Sequence, residues 1–327
     1  MAGLSSKSAA EDYFEMKVLI VARYKERGYA PFITQQVAAL EKQGVECQYF
    51  PVKSKGIRGY LKHLKSLRKA INEFQPDIVH AHYGLCGLFA NLQRRVPVVT
   101  TYHGSDINDK KVLPLSKMAV CLSAWNIFVS KKTIDIAQPK KKYSLLPCGI
   151  DISDLQLTEK QEARERMHLH KDRKYVLFAG AFDNAVKNAP LAKEAVALLN
   201  DNNVELLELK GYSHDEVTLM MCAADAFLMT SISEGSPQVI KEALACGCPI
   251  VSVDVGDVKE RIAGVEGCYV TNTREPKELA DVIRKAMAFE EKTNGREKVI
   301  ADVLSNDIVG NKLMEIYGKV TKHKKGE

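Results

Sequence analysis

No apolar run in the 327-residue chain approaches the roughly 18 residues that a bilayer-spanning helix needs, so no transmembrane segment is expected. The stretch from Met1 to Met16 mixes Ser, Glu, Asp and Lys without an apolar centre, which argues against a secretory signal and for a cytoplasmic protein. The eight cysteines include no Cys-x-x-Cys pair, and only Cys246 and Cys248 stand close together. Reduced, buried thiols are therefore expected, rather than disulfides or a zinc site. Basic residues are not interleaved with aromatic ones and no binding motif accompanies them, so nucleic acid is not an expected partner. Internal repeats are also lacking. What remains is ordinary soluble composition, 46% hydrophobic and 27% charged, long enough for two domains of about 150 residues.

Charge divides unevenly. Residues 1–150 carry 23 Lys and Arg against 11 Asp and Glu, whereas the rest carries 24 against 30. Such asymmetry points to two domains with different partners. In the first half, apolar strands at 17–22, 45–50, 77–80, 97–101 and 126–129 alternate with helical periodicity at 31–42, 57–74, 85–93 and 112–123. The second half repeats this from 175–180 through 204–208, 226–229, 250–253 and 268–270, then ends in helices at 276–290, 296–304 and 307–321. Continuous apolar strands alternating with helices predict two Rossmann-like parallel sheets, each covered on both faces, with ligands at the carboxyl ends of the strands. The polar segment 153–174 reads as a linker with one helix near 160–167. The domains are thus 1–152 and 153–305.

The stretch 51–74, with its helix over 57–74, is strongly basic on one side, with Lys53, Lys55, Arg58, Lys62, Lys65, Arg68 and Lys69, and apolar on the other. It reads either as a helix covering a sheet with a solvated outer face, or as a peripheral docking surface for anionic lipid or a lipid-linked acceptor.

The chemistry concentrates at 233–251. Ser236 reads as a helix N-cap, with Pro237 in the first turn. Val239, Ile240, Ala243 and Leu244 share the inward face, Gly247 closes the helix and residues 249–251 enter a strand. A helix start offers free N–H groups and partial positive charge to an anion. Glu234 stands just before it and Glu242 about five residues in, roughly 7–8 Å along the axis. An acid, an anion site and a second acid in line match a sugar, a diphosphate and a ribose, because carboxylates accept hydrogen bonds from vicinal hydroxyls. Lys187 follows the first strand of the second half, where a lysine can neutralise a departing diphosphate. His80, His82 and His103 cluster near strand ends; such a group could hold a metal or serve in hydrogen bonds.

The run Glu234-Gly-Ser-Pro-Gln-Val-Ile-Lys-Glu242-Ala-Leu-Ala-Cys-Gly247 resembles the paired-glutamate signature of the family 4 (group 1) retaining glycosyltransferases, which have the GT-B fold. The stretches ending in His80-Ala-His82 and His103-Gly-Ser-Asp106 resemble two further family motifs, and 147–151 resembles a Pro-Asn-Gly turn with Cys148 at the Asn position. The resemblance implies no metal and no cofactor, with a nucleoside-diphosphate sugar as donor, UDP-sugar before GDP-sugar. It implies catalytic roles for Glu234, Lys187 and His103, and donor binding by Glu242, Gly235, Ser236 and Pro237, with Gly211 and Tyr212 at the base. His80 and His82 are expected to pin loops, and Asp225 to be structural. The acceptor would be a glycan or lipid-linked hydroxyl bound by the first domain, onto which helix 306–327 crosses back. Ala181 departs from the family, standing where an Arg is expected on the donor phosphates. That departure keeps two alternatives open: a catalytically silent GT-B subunit that supports a partner, and a GT-B sugar-nucleotide epimerase.

Overall fold

The computed structural model describes residues 16–26, 28–54, 56–152, 155–302 and 304–322. Its first sheet is built from β1 (Lys17–Arg23), β2 (Glu46–Val52), β3 (Ile78–His82), β4 (Val98–Tyr102), β5 (Trp125–Phe128) and β6 (Tyr143–Leu145) in the order β2-β1-β3-β4-β5-β6. The second comprises β7 (Lys174–Phe178), β8 (Val204–Glu208), β9 (Ala226–Met229), β10 (Ile250–Val253) and β11 (Tyr269–Thr271) in the order β11-β10-β9-β7-β8. All pairings between these strands are parallel. Central strands such as β3, β4 and β9 are buried throughout, as their unbroken apolar runs require when helices cover both faces. The expected fold class is the one observed.

Three local expectations change. The single helix expected over 57–74 is two, Gly56–Lys62 and Leu64–Phe74. His63 lies at the break with its Nε2 3.0 Å from Ser54 Oγ. Tyr60, Leu67 and Ile71 are buried in the sheet's core, whereas Lys62, Lys65, Arg68 and Lys69 face solvent. The apolar stripe is therefore spent inside the protein. Lys55 lies outside the described residues, as does the side chain of Arg58.

The segment 153–174 is not a free linker. Residues 153 and 154, beside the expected domain boundary, lie outside the described residues, but helix Lys160–Arg166 packs into the second core. Its buried Arg164 donates to Asp225 Oδ2 at 2.8 Å, and Lys160 reaches Oδ1 at 2.7 Å. Asp225 Oδ2 also accepts from Tyr175 N at 2.7 Å, so this acid ties the helix to β7. Its role is structural, as expected.

Third, Ser236 does not cap the helix. Pro237 occupies the N-cap of helix Gln238–Ala245, and Ser236 Oγ instead donates to Asp257 Oδ2 at 2.8 Å. The competing acceptor is a buried carboxylate, a stronger partner than the helix's own amides.

The chain crosses between sheets twice. Residues 148–150 leave the first sheet and 304–306 return, side by side, with Ile150 N donating to Leu304 O at 2.8 Å. Helix Asn306–Lys322 then packs on the first core, burying Val309, Leu313, Ile316 and Tyr317 among Val18, Ile20, Ile33 and Leu40. Burying those four large side chains contributes about 1.5–3 kcal/mol each before entropy is charged.

Candidate active site

The carboxyl ends of both sheets face one another, and two backbone loops touch between them. Loop His103–Gly104, after β4, meets loop Glu234–Gly235, after β9. A Cβ added to Gly235 would lie 2.2 Å from His103 O, and one added to Gly104 would lie 2.6 Å from Gly235 Cα. Only glycines permit this approach, and Gly104 also adopts φ +106°. Asn108 Nδ2 fastens the contact by donating to Ser233 Oγ at 2.9 Å and to Glu234 O at 3.0 Å.

Lys187 and Glu234 meet here. Lys187 Nζ lies 2.8 Å from Glu234 Oε1, with both side chains mostly shielded from water. Their partnership joins a short 3-10 turn after β7 to the loop after β9, which no sequence spacing reveals. Farther along helix 238–245, Glu242 is half-buried, and burial pushes its carboxyl up, while neighbouring His214 and Lys241 pull it down. His214 opens the helix that follows Gly211 and Tyr212, which brings Glu242 toward that loop. Gly211 adopts φ +86° in open space, and Tyr212 is exposed.

On the opposite wall the three histidines form one stack. Ring centroids lie 4.6 Å apart for His80 and His82, and 5.3 Å for His82 and His103. His80 does more than pin a loop, since its Nδ1 lies 2.6 Å from Tyr317 OH on the last helix and its Nε2 2.8 Å from Thr101 Oγ1. His82 Nδ1 pairs with His103 Nε2 at 3.0 Å, and His103 Nδ1 is 3.7 Å from Cys148 Sγ. Phe32 and Tyr83 flank the His103 ring at 4.6 and 4.8 Å. Among the described residues no group of three or more His, Cys, Asp or Glu is arranged to hold a metal ion.

Burial drives all three imidazoles toward the neutral form. His82 is lowered to about 3, and His80 and His103 fall well below the ordinary range, with nearby imidazoles adding to the effect. Asp106 shifts the other way, raised to about 6 by burial although Gly84, His103 and Gly104 all donate backbone N–H groups to it.

A pH dependence of stability follows. Below about pH 6.5 the unfolded chain binds protons at these histidines that the native state refuses, so stability falls as pH drops, by about 1.4 kcal/mol per histidine per pH unit. Asp106 opposes this between pH 6 and its ordinary value, because there the native state binds the extra proton. Three histidines outweigh one aspartate. Urea unfolding at pH 5.5 is expected to yield about 3 kcal/mol less stability than at pH 7.5. Equal stability at both values would refute the neutral stack.

Two residues that hold the helix of the site in place escape a sequence reading. Lys241 is fully buried, and its Nζ donates to Cys148 O at 2.6 Å and to Gln238 Oε1 at 2.7 Å. Gln238 Nε2 in turn donates to Gly149 O at 2.6 Å. Helix 238–245 thus grips the outgoing crossing, which is why it is covered on two sides. Ile240, Ala243 and Leu244 are buried as expected, but Val239 only partly. A basic residue beside the inward stripe was the available signal.

Comparison with known proteins agrees with the two-sheet architecture. Residues 16–154 match the family described as Glycosyltransferase Family 4, and residues 193–288 match Glycosyl transferases group 1. A glycosyltransferase named for teichuronic acid biosynthesis, TuaC of Bacillus subtilis, is 29% identical over 223 residues. That match covers 60% of this chain and 57% of the relative's length. Sucrose-phosphate synthase from Thermosynechococcus elongatus superposes with a TM-score of 0.80 at 16% identity, covering 94% of this chain and 100% of the other. Anabaena HepE, solved with UDP and glucose, gives 0.71 at 17% identity, covering 93% and 100%. With family matches on both halves and the two-sheet architecture of these enzymes, the chain belongs to the family 4 (group 1) glycosyltransferases of GT-B fold.

Proposed function

We propose that the protein is a retaining glycosyltransferase that moves a hexose from a nucleoside-diphosphate sugar to a hydroxyl of a glycan or lipid-linked acceptor. The observation that carries this reading is the Lys187–Glu234 pair, 2.8 Å apart before a helix start and opposite His103. In the step, the bond from the anomeric carbon to the diphosphate breaks while the acceptor oxygen bonds to that carbon on the same face. The acceptor's proton passes to the departing phosphate oxygen. Lys187 and the backbone N–H groups around Gly235 and Ser236 would meet the negative charge on the diphosphate, without a metal or other cofactor. Glu234 would hold sugar hydroxyls and support positive charge at the anomeric carbon, and Glu242 would take the ribose diol. His103, neutral and with only a weak thiol partner at Nδ1, would offer that nitrogen to a sugar hydroxyl.

The HepE crystals hold UDP and glucose on the same fold, which makes a UDP-hexose the first donor to try, ahead of a GDP-hexose. No described helix is long and apolar enough to cross a membrane. A cytoplasmic protein is proposed, with any contact with anionic membrane made through the solvated lysines of 62–69.

Release of nucleoside diphosphate from UDP- and GDP-hexoses, with and without oligosaccharide or lipid-linked acceptors, tests the proposal, and the anomeric configuration of the product tests retention. Turnover of one donor with a retained anomer is expected. Ala181 favours a second reading, a silent subunit, since an Arg is the family's residue there. Nucleotide binding without any turnover would select it.

A further inference from the structure

A separate cavity of about 620 Å³ opens at the carboxyl ends of β1, β3 and β4, on the first-domain wall of the cleft. Its lining includes Arg23, Lys25, Tyr29, Tyr60, Tyr83 and Asp106. Arg23 is the last residue of β1 and is half-buried. Among the described residues, neither Arg23 nor Lys25 forms a side-chain ion pair or hydrogen bond with the protein. Asp106, the acid in this lining, is spent on three backbone N–H groups and turns its charge inward. Tyr29 stacks on Tyr49 at 4.6 Å and meets Tyr24 edge-on at 5.0 Å, forming an aromatic platform beside the two cations. Tyr83 joins the cavity to the site, its ring 4.8 Å from that of His103.

A half-buried guanidinium that faces a cavity without an anionic partner in the protein is placed to take one from a ligand. Its planar fork suits a carboxylate or a phosphate in two parallel hydrogen bonds. Phenol rings add flat apolar faces for the C–H side of a sugar, and hydroxyls for its polar edge. We propose that the acceptor is a glycan whose sugar bears an anionic group, a phosphate or a uronic carboxylate, held by Arg23 with Lys25. This rests on the transferase reading and assigns the chemical class of its acceptor.

Calorimetric titration with three probes tests it: glucose 6-phosphate, glucuronic acid and glucose. The wild type is expected to bind at least one of the two anionic sugars roughly tenfold to a hundredfold more tightly than glucose. The better anion identifies the source of the charge. Arg23→Gln should erase that preference, and Arg23→Lys should restore part of it, with thermal melts showing that both variants fold. Lys187→Gln should keep the preference, placing the anion in the first domain rather than at the donor phosphates. Equal binding of all three sugars, no binding of either anion, a preference surviving in Arg23→Gln, or one lost only in Lys187→Gln would each overturn the assignment. Binding requires no sugar transfer, so the two readings fail separately. Donor turnover without anion preference removes only the acceptor class, whereas anion preference without turnover removes the transferase and with it the acceptor role, leaving an anionic-sugar site.

Discussion

Glu234→Gln and Lys187→Met are each expected to slow sugar transfer by about 10²–10³-fold, the usual effect of removing one preorganised electrostatic contact from a transition state. Their side chains lie 2.8 Å apart and largely out of water, so each also holds the other in position. Removing either leaves its partner free to rotate away, and the double variant should be little worse than the singles, because the pair acts as a unit. Stability should change modestly, by about 1 kcal/mol, since the pair keeps some contact with solvent. Initial rates and thermal melts on the three proteins measure both effects. Wild-type turnover in either single variant would remove that residue from the mechanism.

The second large effect is expected from one methyl group. Gly235→Ala places its Cβ 2.2 Å from His103 O and 2.7 Å from His103 C, both backbone atoms that cannot swing aside. The loops after β4 and β9 must then part by roughly 1 Å, and a misplacement of that size costs about 10²-fold in rate. Nucleotide affinity should fall as well, but by less than the rate, because the Gly235 and Ser236 amides shift with the loop while Lys187 and Glu242 keep their places on the second sheet's side of the cleft. The informative control is Gly44→Ala, away from both loops: Gly44 has positive φ, at +82°, and a Cβ there meets nothing within 4 Å, so only backbone strain of about 1–3 kcal/mol is added. If Gly235→Ala turns over at the wild-type rate, the loop contact is not required for transfer. If both variants lose activity equally, a general loss of stability rather than the approach of the two loops is responsible.

Much of this site was legible because its signals are local. Glu234 stands in the turn just before helix 238–245 and Glu242 lies within it, and Gly247, at φ +70°, follows the helix end as expected. Apolar runs locate the strands because burial on both faces leaves no room for alternation. Two of the three misjudged elements involve a partner far away in sequence, and the third a partner just outside the helix itself. Ser236 was drawn off its helix by Asp257, residues 160–166 were drawn into a core by Asp225, and the basic helix was broken at His63 beside Ser54.

Sequence alone determined the two parallel sheets, the acids on either side of a helix start and the family to which those motifs point, since each depends on residues within a few turns of one another. The tertiary structure alone decided which groups meet across the cleft. It set Lys187 on Glu234, packed Gly104 against Gly235, stacked three neutral imidazoles under Tyr317 and left Arg23 facing an open cavity. Periodicity reports which face of an element is buried, but not which other element buries it. That choice is made by how two domains joined at 148–150 and 304–306 come together.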